Sequence, residues 1–117
     1  MGNNTTTSKK VSTLVKKVQK RDGKIVDFDF ERIVNAVNKA MVASDEGSLE
    51  EAELVANKVL ADLVRTVKKH KNFVPTVEGI QDSVEKELIL SEYVNTAKNY
   101  ILYRQRRSEL REKGVIV

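Results

Sequence analysis

The chain of 117 residues contains no cysteine. That absence excludes disulfides, zinc ribbons, iron–sulfur sites, thiol nucleophiles and cysteinyl radicals together. Histidine occurs once, at His70, so a metal site would have to be built from carboxylates. His70 stands among Lys68, Lys69 and Lys71 with no Ser or Cys in motif context, which suits a solvated helix end rather than a catalytic base. No apolar run approaches the roughly 18 residues of a membrane span. The polar start MGNNTTTSKK also lacks the apolar stretch of a signal peptide, and the expected location is the cytoplasm. Neither a GxGxxG motif nor a GxxxxGK phosphate loop occurs. No catalytic constellation is present, and an enzyme on this chain alone is not expected.

What is present is the composition of one small globular domain, 40% hydrophobic and 32% charged. A chain of this length buries about two-thirds of its unfolded surface, enough for one core. The net charge of +4 hides a pattern. Residues 1–24 carry seven Lys/Arg against one acid, and residues 98–117 carry six against two. Residues 25–97 reverse the balance, with eight bases and fourteen acids. Two basic ends that meet in space make an anion site; two that stay apart are solvated tails.

Residues 1–10 lack an apolar pattern and read as a disordered lead-in, with the domain over 11–112 and a tail or truncated linker over 113–117. Val18, Arg21-Asp22-Gly23-Lys24, Ile25-Val26 and Phe28 read as two short strands around a tight turn, with Asp-Gly in a two-residue loop. Asp29 caps a helix from Phe30 to about Met41, carrying Ile33, Val37 and Met41 at helical spacing. Ser48 and Glu51 form a capping box that opens a second helix, which runs to about Lys69. Phe73-Val74-Pro75 is extended and offers a short third strand. Thr76 caps a third helix with Ile80, Val84 and Leu88, and Ser91 restarts the chain as a fourth with Tyr93, Ala97 and Tyr100. The fold class is α+β, mainly α.

Two clusters carry the polar chemistry. In Lys20-Arg21-Asp22-Gly23, followed by Phe28-Asp29 and Arg32, a hairpin turn places backbone N–H groups beside two cations, a combination that suits a polyphosphate. An ordinary charged turn on a basic surface accounts for the same residues. In the fourth helix Arg104, Arg107 and Arg111 share a face with Tyr100. Guanidinium forks beside an aromatic ring suit a nucleotide or a single-stranded nucleic acid. Cations complementing a helix C-terminus, each worth about a few tenths of a kcal/mol, account for the same residues.

Taken in order, Val18 to Gly23, Phe28 to Ile33, Ile80 to Glu85 and Tyr100 to Arg107 resemble the motifs of the ATP-cone. This is the regulatory nucleotide-binding domain at the N-terminus of many ribonucleotide reductases, and it also occurs in the repressor of reductase genes. The resemblance covers about residues 15–108. It implies a four-helix domain capped by a small β-hairpin or three-stranded sheet, with the two basic ends meeting around the triphosphate of one or two adenine nucleotides. It further implies that Lys20, Arg21, Arg32 and Arg107 hold phosphates, with Arg104 in the same nucleotide-binding set. Val18 would offer backbone contact to the base, Phe28 and Asp29 would line the adenosine pocket, and Gln81 and Asp82 would approach base or ribose. Val26 stands about where some members have an acid.

The resemblance implies ATP as an activating and dATP as an inhibiting ligand, with Mg2+ accompanying the triphosphate. The partners implied are the catalytic part of a reductase and a nucleotide-dependent homo-oligomer, without membrane or nucleic acid. A basic helical nucleic-acid-binding or transcription-regulator module is the alternative, and a plain helical interaction module a third.

Overall fold

A computed structural model describes residues 14–116. The expected lead-in over residues 1–10 lies outside the described residues. Strand β1 (Lys17–Gln19) pairs antiparallel with β2 (Ile25–Asp27), with Val18 opposite Val26. Four helices follow: α1 (Phe30–Ser44), α2 (Leu49–Lys69), α3 (Val77–Leu90) and α4 (Val94–Glu112). The expected mainly helical α+β architecture is therefore the one observed.

The helices close into a ring in which α1 packs on α2 and α4, and α3 on α2 and α4. Helix α2 supplies the longest stripe: Ala52, Val55, Ala56, Val59, Leu60, Leu63 and Val64 are all buried, at the spacing of one helical face. Val37 and Met41 of α1, and Val84 and Leu88 of α3, close the core from either side. In α4 only Thr96, Ala97 and Tyr100 are buried, so its C-terminal half stands as a ridge at the surface. No helix among the described residues is long and apolar enough to cross a membrane.

Three local expectations are corrected. The hairpin loop has three residues rather than two, because Gly23 alone takes a positive φ, of 87°. The Gly23 amide donates to Lys20 O at 2.9 Å, and Lys20 pairs with Lys24 beyond it. The Asp22 carboxylate accepts from the Lys24 amide at 3.0 Å, which holds Asp22 in an ordinary turn conformation. The third strand shrinks to a single parallel bridge between Gln19 and Thr76. Pro75 has no N–H to donate, and Thr76 immediately turns into α3 as its N-cap, accepting from the Gly79 amide at 2.9 Å.

Ser91, in turn, ends α3 instead of opening α4. The chain reverses through Glu92 at φ 65°, with the Tyr93 amide donating to Leu88 O and the Glu92 amide to Ile89 O. This is a Schellman closure with a non-glycine residue in the left-handed position. Helix α4 then starts with no cap from its own chain segment. Its acceptor comes from the loop between α1 and α2: Glu46 Oε1 takes the Thr96 amide at 2.8 Å and the Thr96 hydroxyl at 2.6 Å. These hydrogen bonds hold the Glu46 carboxyl below its ordinary value.

The same corner is tied again by Tyr93, whose hydroxyl donates to the Glu51 carboxylate and whose pKa is pushed up to about 12 by that bond. Glu51 thus forms only half of the expected capping box: its amide donates to Ser48 Oγ at 3.2 Å, and its carboxylate serves the Ser48 and Tyr93 hydroxyls. On the opposite face, Asp62 of α2 accepts from Ser83 at 2.9 Å and pairs with Lys86 of α3 at 3.0 Å. Glu87 is buried beside them, and the neighbouring Asp62 together with burial raises its carboxyl.

Candidate nucleotide site

The hairpin loop hangs over the first two turns of α3. Its anchor is the Gln19 amide, which donates to Pro75 O at 2.9 Å and brings Arg21 over the helix. Arg21 Nη2 donates to Gln81 Oε1 at 3.0 Å, and Arg21 Nε lies 3.4 Å from Glu78 Oε2. From the other side Arg104 of α4 reaches across to α3. Its Nη1 meets Asp82 Oδ1 at 2.8 Å and the Glu85 carboxylate, and its Nη2 donates to Glu78 O at 3.2 Å. One polar groove of about 320 Å³ results, walled by Arg21, Glu78 and Glu85 on one side and by Arg104, Ser108 and Arg111 on the other. The two basic ends of the chain do meet.

The three cations of the groove differ in what surrounds them. Arg104 is half-buried; burial opposes its charge, but Asp82 and Glu85 outweigh that and hold its pKa above the ordinary value. Arg111 is pushed the other way, by burial and then by the charges of Arg21 and Arg107. Neither Arg107 nor Arg111 has a carboxylate partner within 4.0 Å among the described residues. Positive charge is thus matched in the middle of the groove and in excess at its Arg21–Arg111 end. An anion bound there would relieve that repulsion, and guanidinium forks are suited to phosphate. Beneath the groove Tyr100 is buried, and desolvation first, then Glu85 and Asp82, push its hydroxyl up to about 12.

The other residues singled out in the sequence fall into two groups. Gln81 and Asp82 lie at the groove, as partners of Arg21 and Arg104. Lys20 is exposed at the base of the loop, beside Arg21. Val18 turns its side chain into the core and its backbone to β2, while Phe28 is half-buried against the core. Asp29 is engaged as the N-cap of α1, accepting from the Glu31 amide at 3.1 Å. Arg32 is exposed and lies 3.9 Å from Asp29. The loop, α3 and α4 are therefore brought together directly, and the Asp29–Arg32 pair stands apart from the groove lining.

Sequence reading missed Glu78, Glu85 and Ser108. A signal existed: Glu78, Asp82 and Glu85 are spaced four and three apart, an acidic face matching the face formed by Arg104, Arg107 and Arg111. No set of three or more His, Asp or Glu side chains able to hold a metal ion occurs among the described residues.

A sequence profile described as the ATP cone domain matches residues 16–109. The chain belongs to the ATP-cone family. It is 41% identical over 105 residues to a vitamin B12-dependent ribonucleoside-diphosphate reductase of Thermoplasma acidophilum, a match covering 86% of this chain and 13% of that protein. It is 41% identical over 97 residues to the protein of the same name from Mycobacterium tuberculosis, covering 81% of this chain and 13% of the other. An anaerobic ribonucleoside-triphosphate reductase of Haemophilus influenzae is 35% identical over 100 residues, covering 82% and 13% respectively. The chain thus spans about an eighth of the length of these relatives.

Proposed function

We propose that this ATP-cone domain is an allosteric sensor of adenine nucleotides for a ribonucleotide reductase. ATP is the activating ligand and dATP the inhibiting one, with the output expressed through oligomeric state. The observation that carries the reading is the excess positive charge where Arg21 of the hairpin meets Arg111 of α4 in a groove of about 320 Å³. That volume lies at the small end of ligand sites.

Arg21 and Arg111 take the phosphates, with Lys20 and Arg107 adding charge from the rim. Gln81 retains two amide hydrogens to offer base or ribose while its oxygen serves Arg21. The family resemblance assigns the adenosine end to Val18, Phe28 and Asp29 and a further cation to Arg32, none of which lines the groove. Mg2+ would accompany the triphosphate, held through phosphate oxygens and water rather than by a protein cage. The reaction itself belongs to the reductase, and the domain's own residues only bind and report. Since ATP and dATP differ by one hydroxyl, opposite outputs require that hydroxyl to be read differently in two states.

Calorimetric titration of the chain with ATP, dATP and GTP in the presence of magnesium tests this, with Lys20→Ala and Arg107→Ala alongside. Saturable binding of the adenine nucleotides, weakened in both variants and poor for GTP, is the expected result. Absence of nucleotide binding, with retention of duplex DNA that falls log-linearly with salt, would replace the reading with nucleic-acid binding.

A further inference from the structure

The carboxylate nearest Arg21 belongs to Glu78, in the first turn of α3, and it has no other ion-pair partner among the described residues. Its side chain is 62% exposed, so the pair is held at the mouth of the groove in water rather than locked in the interior. Arg104 contrasts with this: it is only 22% exposed and fixed by Asp82, Glu85 and a backbone carbonyl at once. Arg104 is a strut between α3 and α4. The Arg21–Glu78 pair is one that a stronger anion can exchange.

The geometry points to Glu78 as a built-in competitor for the anion site, paired with Arg21 on its Nε side in the ligand-free domain and setting how tightly a nucleotide triphosphate is held. This rests on the reading of the groove as a triphosphate site. To engage Arg21 through Nε, a phosphate must displace the carboxylate that lies 3.4 Å from it, and the displaced Glu78 then remains beside it as a like charge. Arg111, on the opposite wall, imposes no such exchange. The groove therefore has one arm that is open and one that is occupied by the protein's own acid. The affinity it delivers is lower than its cations alone would give. A sensor gains from this, because a site saturated at all nucleotide levels reports nothing.

The test is the dissociation constant of MgATP on the chain, measured by calorimetry for the wild type, Glu78→Gln, Glu78→Asp and Glu50→Gln. Glu50, in the first turn of α2 and outside the groove lining, controls for the change in net charge. Glu78→Gln should bind about two- to fivefold tighter, the span that an exposed ion pair is worth. Glu78→Asp, which keeps the charge but shortens its reach to Arg21, should fall between it and the wild type, and it carries the test should the glutamine variant not fold. Glu50→Gln should stay close to the wild type.

Unchanged or weaker binding in the Glu78 variants, or equal tightening in Glu50→Gln, would overturn the inference while leaving the site itself standing. Failure of the wild type and of every variant to bind MgATP would instead remove the triphosphate site, and the competitor with it.

Discussion

Gly47, in the loop between α1 and α2, combines two constraints that substitution can separate. Its φ is 78°, and a Cβ there would lie 2.5 Å from Met41 Sδ and 3.1 Å from its Cε. Met41 is 1% exposed and sits in the core, so its side chain can give way only by moving against buried neighbours. A left-handed alanine costs about 1 kcal/mol, and displacing a packed core side chain adds about 1–3 kcal/mol. Gly47→Ala should therefore lose about 2–4 kcal/mol, or roughly 10–20 °C in Tm for a domain of this size. Gly23→Ala isolates the backbone contribution: its φ is 87° and nothing lies within 4 Å of the added carbon. That variant should lose only about 1 kcal/mol. Thermal and urea unfolding, followed by far-ultraviolet circular dichroism, compare the two. Equal losses would refute the argument, since the Met41 contact would then contribute nothing. The position has functional weight because Glu46, next in the chain, caps the helix that carries Arg104, Arg107 and Arg111.

Glu92→Gly should stabilise the domain by about 0.5–1 kcal/mol, because glycine occupies the left-handed closure of α3 without strain; a Tm at or below that of the wild type would contradict this. Glu46, held below its ordinary value of 4.5 by Thr96, contributes stability above that pH and loses it as the pH falls through its depressed folded value. The acid side of the stability–pH curve should be correspondingly flatter in Glu46→Gln, as unfolding titrations at stepped pH would record. Tyr93 and Tyr100 are both raised from 10.0 to about 12, so the stability they contribute is complete below pH 10 and is lost as the pH rises toward 12. Tyrosinate absorbance should show Tyr93 and Tyr100 still protonated in the folded protein at pH 11, and a Tyr93→Phe variant should show one protonated phenol fewer.

Much of the fold was legible because each level of the sequence agreed with the next. Asp29, Ser48 and Thr76 all serve as the N-caps their positions implied, and the buried stripe of α2 from Ala52 to Val64 follows the 3.6-residue period. The start of α4 was not legible. Its cap, Glu46, comes from a loop fifty residues away in sequence, and nothing local to Ser91 or Tyr93 signals it. The third strand failed for a related reason: β propensity at Phe73-Val74 was overruled by Pro75 and by the cap at Thr76. At the site, the charge split between the two ends and the middle posed the right question but could not answer it. Whether the ends meet depends on the Gln19–Pro75 hydrogen bond that carries Arg21 over α3, a long-range contact without a periodic signature. The acids of α3 were readable as a face, but not as the partners of Arg21 and Arg104.

On the proposed reading, Arg21 of the hairpin and Arg111 of α4 grip one anion. A double-mutant cycle on MgATP affinity separates that from two independent sites, with Arg21→Ala, Arg111→Ala and the double variant titrated under one salt condition. Each single change should weaken binding by about tenfold or more, as loss of a charge-assisted hydrogen bond does. The double variant should lose less than the two together, with a coupling of about 0.5–3 kcal/mol. Strict additivity, or a single variant that binds as the wild type does, would contradict a shared site and leave two independent basic surfaces in its place.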